Sequence, residues 1–224
     1  MTVGGPASKP RAMVYVDGFN FYNGCFRRNG DWPYAKWLDL SRYFRLIYGG
    51  FDICHIHYFS ALVVPTHWNP GAQDRQLMYW RALRTLPDLT LHEGVFYQHA
   101  KTMFEANPPF APVVVNKIEE KQTDVHLASR MLVDAFQGNC DVSILVTNDS
   151  DLVAPVRILT QELGRAVYVL NPRKKPAYHL MQVATEIRSV RLGAMTACQF
   201  PDQLHDANGV IDIPLSWKKQ ATGP

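Results

Sequence analysis

Aspartate residues follow apolar segments of this chain at points where they could form one acidic cluster. Asp17 ends the apolar run AMVYVD, and Asp124 begins a segment of helical period. Asp149 and Asp151 follow a second apolar run, VSILVT. Two carboxylates about 4 Å apart repel by about 4 kcal/mol at an effective dielectric constant of about 20, so such a cluster needs a compensating cation. Oxygen ligands without a nearby histidine or cysteine suit Mg²⁺ or Mn²⁺, and this donor set favours phosphodiester hydrolysis.

The elements that must position these carboxylates alternate between strands and helices. Apolar runs predict strands at 12–16, 53–64, 89–97, 142–147, 166–170 and 189–193. Helical periodicity predicts helices at 35–48, 73–86, 124–137 and 151–163. This alternation predicts an α/β fold, with a mostly parallel central sheet and helices on both faces. Ligands of such sheets bind outside the carboxyl ends of the strands, where all four aspartates would meet.

Length and composition predict one globular domain with short appendages. The 224 residues are 47% hydrophobic and 19% charged, which is enough for a full core. We expect a flexible N-terminus at 1–11 and the domain itself at 12–199. Periodicity is lost from Phe200 onward, where Pro, Asp and Gly become frequent, and this predicts a partly ordered tail at 200–224.

The composition also limits cofactors and location. The four cysteines are widely separated and form no C-x-x-C pair, so no zinc knuckle or redox motif is encoded, and free thiols fit a reducing compartment. No apolar run approaches the roughly eighteen residues of a membrane span, and the first eleven residues contain no apolar signal region. We therefore expect a cytoplasmic protein without membrane contact. The net charge of +3 is compatible with a nucleic-acid partner but does not require one.

Three ordered motifs carry a resemblance to a known family. YVDGFNFY, EEKQTDVHLASRML and LVTNDSDLVAPVRILTQELGRAVYVL resemble the successive motifs of the NYN domain, in its LabA-like branch, within the PIN-like nuclease superfamily. The resemblance spans about residues 12–192. It implies a Rossmann-like PIN fold, a divalent metal, Mg²⁺ or Mn²⁺, and ribonuclease activity.

The resemblance also implies roles for particular residues. The first motif places the metal-site aspartate at Asp17, with Asn20 beside it in a supporting role. The family pattern E-K-G-x-D becomes EKQTD here, which keeps the acid at Asp124 but lacks the glycine, and S-G-D-S-D becomes TNDSD. Asp17, Asp124 and Asp149 are the principal candidate ligands, and Asp151 is a further ligand or a water-orienting base. The pattern leaves open which of Asp149 and Asp151 contacts the metal directly. Glu120 is an additional candidate ligand, and Ser150 is predicted to support the site.

Basic residues are predicted on the same edge as the acids. Arg173, Lys174 and Lys175 immediately follow the strand 166–170, where a phosphate backbone would approach, and Lys121 lies next to the acidic cluster in sequence. A solvated loop is the alternative interpretation of these charges.

The hypothesis that follows is a metal-dependent ribonuclease acting on single-stranded or structured RNA. Two alternatives stay open: a nucleic-acid-binding or regulatory module without efficient turnover, and a metal-dependent phosphatase for a small ester. The complete acid set favours an enzyme, and the basic loop favours a polymeric substrate. The sequence leaves open the natural RNA, the endonucleolytic or exonucleolytic mode, and whether the protein forms homo-oligomers.

Overall fold

A seven-stranded sheet forms the centre of the molecule. The computed structural model describes residues 8–27 and 32–218. Its strands lie in the order β4-β3-β2-β1-β5-β6-β7, and each neighbouring pair is parallel except β3 and β4. They are β1 (Arg11–Asp17), β2 (Asp52–Ala61), β3 (Leu89–Phe104), β4 (Pro112–Lys121), β5 (Val142–Val146), β6 (Ala166–Asn171) and β7 (Glu186–Ser189). The predicted α/β fold with a mostly parallel sheet is confirmed.

Helices pack on both faces of this sheet. They are α1 (Gly18–Tyr22), α2 (Leu40–Ile47), α3 (Ala72–Arg84), α4 (Thr123–Phe136), α5 (Val153–Arg157), α6 (Tyr178–Met181) and α7 (Leu192–Ala197). The core cluster on one face contains residues of α1, α2, α3 and α7, and the cluster on the other face contains residues of α4, α5 and α6. No helix in the described ranges is long and apolar enough to cross a membrane.

The central strand β1 is apolar from Ala12 to Val16, where both of its faces are buried. Val14 and Val16 belong to the core cluster of α1 to α3, whereas Tyr15 belongs to the cluster of α4 to α6. Side chains alternate along a strand, so Asp17 follows on the same face as Tyr15, toward α4. The direction of the Asp17 side chain is therefore a consequence of its position in β1.

An antiparallel ribbon, formed by the second half of β3 and by β4, extends from the irregular connection at 105–111. β3 continues to Phe104, beyond its predicted end at residue 97, and pairs with β4 from Val95↔Lys121 to Phe104↔Pro112. Most residues of this ribbon are exposed. Burial is therefore weak here, and hydrophobic alternation, the main sequence signal for a strand, does not identify β4.

Three other predicted elements change their limits. The helix predicted from residue 35 begins only at Leu40, because the Asp39 carboxylate accepts a hydrogen bond from Arg42 N (2.9 Å) and caps it there. The helix predicted at 151–163 is divided into a 3-10 turn, α5 and a π turn, and it contains Pro155, which lacks an amide donor. The strand predicted at 189–193 instead lies at Glu186–Ser189.

The segment predicted as a partly ordered tail contributes to the core as far as the structure describes it. β8 (Gln203–Asp206) and β9 (Gly209–Asp212) form a hairpin. Ile211 and Trp217 are buried in the main core cluster, and Asp206 forms an ion pair with Arg81 of α3 (2.7 Å). We therefore propose that the domain extends beyond residue 199 to Trp217; residues 1–7 and 219–224 lie outside the described ranges.

A row of histidines lies between the sheet and α4. His57 on β2 is buried, stacks on Tyr15 and shares a hydrogen bond of 3.0 Å with His92 on β3. Burial, followed by the nearby His55, lowers the pKa of His57 from 6.5 to about 3. Burial, followed by His126, lowers the pKa of His92 to about 4. Both imidazoles are therefore neutral in the native protein at neutral pH.

We expect these histidines to weaken the fold in acid. The native pKa values of these histidines lie below the unfolded value of 6.5, so in acid the unfolded chain binds more protons than the native protein. The stability that the neutral imidazoles contribute is therefore fully present above pH 6.5 and is lost as the pH falls toward 3. Urea unfolding midpoints measured from pH 7 to pH 4 should fall more steeply for the parent than for His57→Gln, which cannot titrate there. Equal slopes for the two proteins would contradict this assignment.

Candidate active site

Three chain segments bring carboxylates to the carboxyl edge of the sheet. Asp17 ends β1, and its Oδ1 accepts a hydrogen bond from Asn20 N (2.9 Å) at the start of α1. Asp149 follows the parallel neighbour β5, and its Oδ1 accepts from Asp151 N (3.0 Å). Asp124 lies in the first turn of α4. Each aspartate therefore lies where a strand ends or a helical turn begins.

Thr147 connects two of these segments. It is fully buried, and its hydroxyl donates to Asp17 Oδ2 (2.9 Å) while its oxygen accepts from Asp149 N (3.1 Å). The two carboxylate oxygens of Asp17 thus have one fixed donor each. Thr147 was not predicted as a site residue, although it opens the TNDSD motif, because its contact depends on the register of β1 against β5.

Asn20 and Asn148 form a second connection. The side-chain oxygen of Asn20 accepts from Asn148 N (3.0 Å). The Asn148 amide in turn accepts from Ala177 N (2.6 Å) and donates to Lys175 O (3.2 Å). Asn148, which replaces the glycine of the family pattern, therefore ties the acidic edge to the basic loop 171–176, a contact that sequence reasoning did not anticipate.

The carboxylates interact electrostatically and lack a cationic partner. Burial raises the pKa of Asp17 to about 7, the hydrogen bonds from Asn20 and Thr147 oppose this, and the charges of Asp124 and Asp149 raise it further. Burial, followed by the charges of Asp149 and Asp151, raises the pKa of Asp124. In the described part of the chain, none of the four forms an ion pair with Lys, Arg or His. The cluster therefore carries uncompensated negative charge.

The donor chemistry of this cluster fits a hard divalent cation. Within residues 8–27 and 32–218, no three His, Cys, Asp or Glu side chains form a preassembled group that could hold a metal ion. Magnesium, however, usually binds through one or two carboxylates together with water and substrate phosphates. The uncompensated aspartates at this edge are compatible with that kind of binding.

Three further predicted residues have different surroundings. Glu120 lies near the cluster: burial raises its pKa, as does the charge of Asp124, and its carboxylate accepts a hydrogen bond from the Thr123 hydroxyl. Ser150 is exposed, and its hydroxyl makes no hydrogen bond to site residues in the described chain; Thr147 makes that type of contact instead. The ammonium of Lys121 lies 5.9 Å from the Tyr97 ring centroid, on the face of β4 opposite to Glu120.

The basic loop follows β6 at the same edge of the sheet. Asn171 holds its first turn, because the side-chain oxygen accepts from Arg173 N (2.9 Å) and the amide donates to Arg173 O (2.7 Å). Lys174 and Lys175 are exposed, whereas Arg173 is half-buried. The Nε atom of Arg173 is buried and has no hydrogen-bond partner among the described residues. The loop thus presents Lys174 and Lys175 toward solvent beside the acidic edge.

The turn before Asp124 keeps a conformation that glycine favours. Gln122, which stands where the family pattern has glycine, has φ = 84°. It lies between the end of β4 and the first residue of α4. The missing glycine therefore does not remove the left-handed turn that leads into α4.

A cavity of about 450 Å³ opens on the other side of the β1 carboxyl end. Gly18 and Phe19, which follow Asp17, form part of its wall together with Tyr58 and Ser60 of β2. A Cβ on Gly18 would lie 2.8 Å from the backbone oxygen of Phe59, and 2.8 Å from Tyr58 Oη, so glycine is needed for this close approach. Burial, followed by the charge of Asp17, raises the pKa of Tyr58. The Tyr58 hydroxyl is thus within electrostatic reach of the acidic cluster.

The fold and the site together define a class: an open, mostly parallel α/β sheet with an acidic cluster at the carboxyl edge. The chain belongs to the NYN domain family, whose model matches residues 11–191. This family is part of the PIN-like nuclease superfamily, whose members generally depend on divalent metal ions. The resemblance of the three sequence motifs is therefore confirmed at the level of the family.

Proteins similar to this chain include one named relative and one solved structure. One is 6-hydroxy-3-succinoylpyridine 3-monooxygenase HspA of Pseudomonas putida (strain DSM 28022 / S16), which is 29% identical over 246 residues covering 94% of this chain and 76% of the relative. The other is the crystal structure of a protein of unknown function, VPA0982, from Vibrio parahaemolyticus RIMD 2210633. It has a TM-score of 0.52 and 16% identity, and the match covers 84% of this chain and 97% of that chain, so it supports the fold alone.

Proposed function

We propose that this protein is a divalent-metal-dependent ribonuclease that hydrolyses phosphodiester bonds at the acidic edge of its sheet. The observation that carries the proposal is the group of mutually interacting, uncompensated carboxylates Asp17, Asp124, Asp149 and Asp151. Membership of the NYN domain family supports a nuclease-type enzyme and a nucleic-acid substrate in general. RNA and the individual roles below are our inference.

Asp17, Asp124 and Asp149 would hold Mg²⁺ or Mn²⁺, and Asp151 would be a further ligand or orient the attacking water. Bound metal would supply a nucleophilic water and stabilise the leaving oxygen. The chain prepares the site through the two fixed donors to Asp17, Asn20 N and the Thr147 hydroxyl, which orient its carboxylate. Glu120 would add negative charge beside Asp124.

The basic loop would bind the phosphate backbone next to these acids. Arg173, Lys174 and Lys175 follow β6, and the loop is joined to the acidic edge through the contacts of Asn148 with Lys175 O and Ala177 N. Phosphate contacts position a nucleic acid without reading its sequence. Lys121 is a weaker candidate for this role, because its ammonium lies over Tyr97.

The four free cysteines, three of them buried, support a reducing, cytoplasmic location.

Incubation with labelled RNA and DNA of the same sequence, with Mn²⁺, with Mg²⁺ and with EDTA, tests this proposal. We expect metal-dependent cleavage of RNA and none in EDTA. Binding of RNA without cleavage in any metal would favour the regulatory module instead. Hydrolysis of a small ester such as p-nitrophenyl phosphate, with intact RNA, would favour the phosphatase.

Asn20 should support activity without contacting the metal. Its side-chain oxygen accepts a hydrogen bond from Asn148 N. Loss of a hydrogen bond around metal ligands commonly costs about 10 to 100-fold in affinity or activity. We expect Asn20→Ala to lower cleavage at limiting Mn²⁺ by about this factor, measured in single-turnover assays, while circular dichroism shows a folded protein. Asn139→Ala, on the opposite edge, is the matched control; full activity of Asn20→Ala would remove Asn20 from the site.

A second candidate function follows from the relative in Pseudomonas putida, whose name gives it a substituted pyridine as substrate. The aromatic cavity beside Asp17 favours a comparable small aromatic substrate for this chain. Mass spectrometry can test it by following 6-hydroxy-3-succinoylpyridine in the presence of oxygen and a reduced nicotinamide or flavin. Consumption of the pyridine, with RNA left intact, would favour this candidate over the ribonuclease.

A further inference from the structure

Aromatic side chains form a large part of the wall of the cavity beside Gly18. Six of them are Phe19, Tyr22, Phe26, Tyr58, Tyr79 and Trp217. Trp68, which also lines the cavity, is 89% exposed, so it has most of its ring free for a ligand. Aromatic faces stack on planar rings, and a volume of about 450 Å³ lies within the range of roughly 300 to 1,000 Å³ typical of small-molecule sites. The shape and lining of the cavity suit one aromatic ring with a substituent.

Three cations line the same cavity and have no negative partner among the described residues. They are Arg27, Lys36 and Arg75. No Asp or Glu of the described ranges lines the cavity, and none of the three cations forms an ion pair there. The Lys36 ammonium lies 5.4 Å from the Tyr22 ring centroid, and Arg75 donates to the side-chain oxygen of Asn69. Neither contact neutralises charge, so the cavity favours an anionic group.

The wall formed by α3 is held in place before any ligand binds. The Gln76 amide donates to Ala61 O (2.9 Å) and accepts from Val63 N (2.7 Å), so it fixes α3 to the end of β2. Tyr79 donates to Leu38 O (2.9 Å) across the cavity. A preformed wall reduces the ordering cost of binding.

We propose that this cavity binds a planar aromatic ring joined to an anionic group, with the ring among the aromatic side chains and the anion against Lys36 and Arg75. A nucleotide unit of a nucleic acid and a free aromatic carboxylic acid share this chemistry. The inference rests on the lining of the cavity and does not depend on the metal-dependent hydrolysis proposed above.

Calorimetric titration in EDTA tests the proposal, because the metal site then takes no part. The probes are 5′-AMP, nicotinate, adenosine and inorganic phosphate. We expect AMP or nicotinate to bind. The affinities of adenosine and phosphate should be at least about tenfold lower than that of the better probe, because a charge-assisted contact is worth about tenfold or more in affinity. Lys36→Met should weaken binding by about tenfold, whereas Lys101→Met, an exposed lysine of β3, should bind like the parent.

A filled cavity provides a second variant. Ala72 lines the cavity at the start of α3, and Ala72→Phe should abolish binding while circular dichroism shows a folded chain. Binding of AMP alone would identify a nucleotide as the source of the ring, and binding of nicotinate alone would identify a free acid. The proposal would be overturned if neither AMP nor nicotinate bound, or if adenosine and AMP bound with equal affinity. Unchanged binding by Lys36→Met and Ala72→Phe would also overturn it.

Discussion

Asp17→Asn should lose RNA cleavage by more than about 100-fold, because changes one step farther from a metal already cost about 10 to 100-fold. The amide keeps the size of the side chain and an oxygen for Asn20 N, but it removes the charge that would hold the cation. Single-turnover cleavage under Mn²⁺ measures the loss. RNA binding should survive, since the basic loop is untouched.

The same variant should not destabilise the apo protein. Because the native pKa of Asp17 is raised from 3.8 to about 7, the native state binds more protons than the unfolded chain, so stability falls as the pH rises through this window. Asp17→Asn should therefore unfold in no less urea than the parent at pH 8. Asp52→Asn, which removes an exposed charge at the amino end of β2, is the control. Cleavage by Asp17→Asn at the parental rate would show that the acidic cluster around Asp17 is not the site of hydrolysis.

Replacing Arg173, Lys174 and Lys175 together with alanine should impair RNA binding and leave the metal ligands intact. The acidic cluster remains, but contacts to the phosphate backbone are lost, so RNA binding should weaken. The slope of log affinity against log salt should become shallower by up to about 0.7 per lost contact on a single strand. Filter binding from 50 to 300 mM salt, a range chosen for the assay, measures both quantities.

A triple variant with the same change in net charge separates this local effect from general electrostatics. Lys9, Arg11 and Arg165 lie at the amino ends of β1 and β6, on the opposite edge of the sheet. Their replacement by alanine should leave the salt slope close to that of the parent. If the loop variant also retained the parental slope, the loop would be a solvated surface without a part in binding.

The parallel sheet and the positions of the aspartates could be predicted because both depend on local pattern. An apolar run followed by Asp17 or Asp149 indicates a buried strand and its end, and parallel strands bring their carboxyl ends together. The Thr147 contact could not be predicted in this way, because it depends on the register of two strands that are far apart in sequence. β4 was missed because most of it is exposed and its sequence PVVVNKIEEK does not alternate between apolar and polar residues.

The cavity was beyond sequence reasoning for a different reason. Its wall combines residues that follow β1, β2 and the first helices with Trp217 near the end of the described chain. Most of these aromatic residues belong to the core cluster or pack against it, so each has a separate explanation as part of the core. Only the folded arrangement shows that they surround a common space together with three cations.

The left-handed conformation of Gln122 has a consequence for how such a chain can vary. A residue with a side chain pays about 1 to 2 kcal/mol for this backbone conformation, whereas glycine loses about 0.5 to 1 kcal/mol more chain entropy on folding. The second term offsets about half of the first, and the Gln122 side chain is exposed, so packing adds little to the balance. The turn before Asp124 can therefore keep its shape while its most recognisable residue changes, and a motif defined by that glycine would overlook proteins that retain the same backbone.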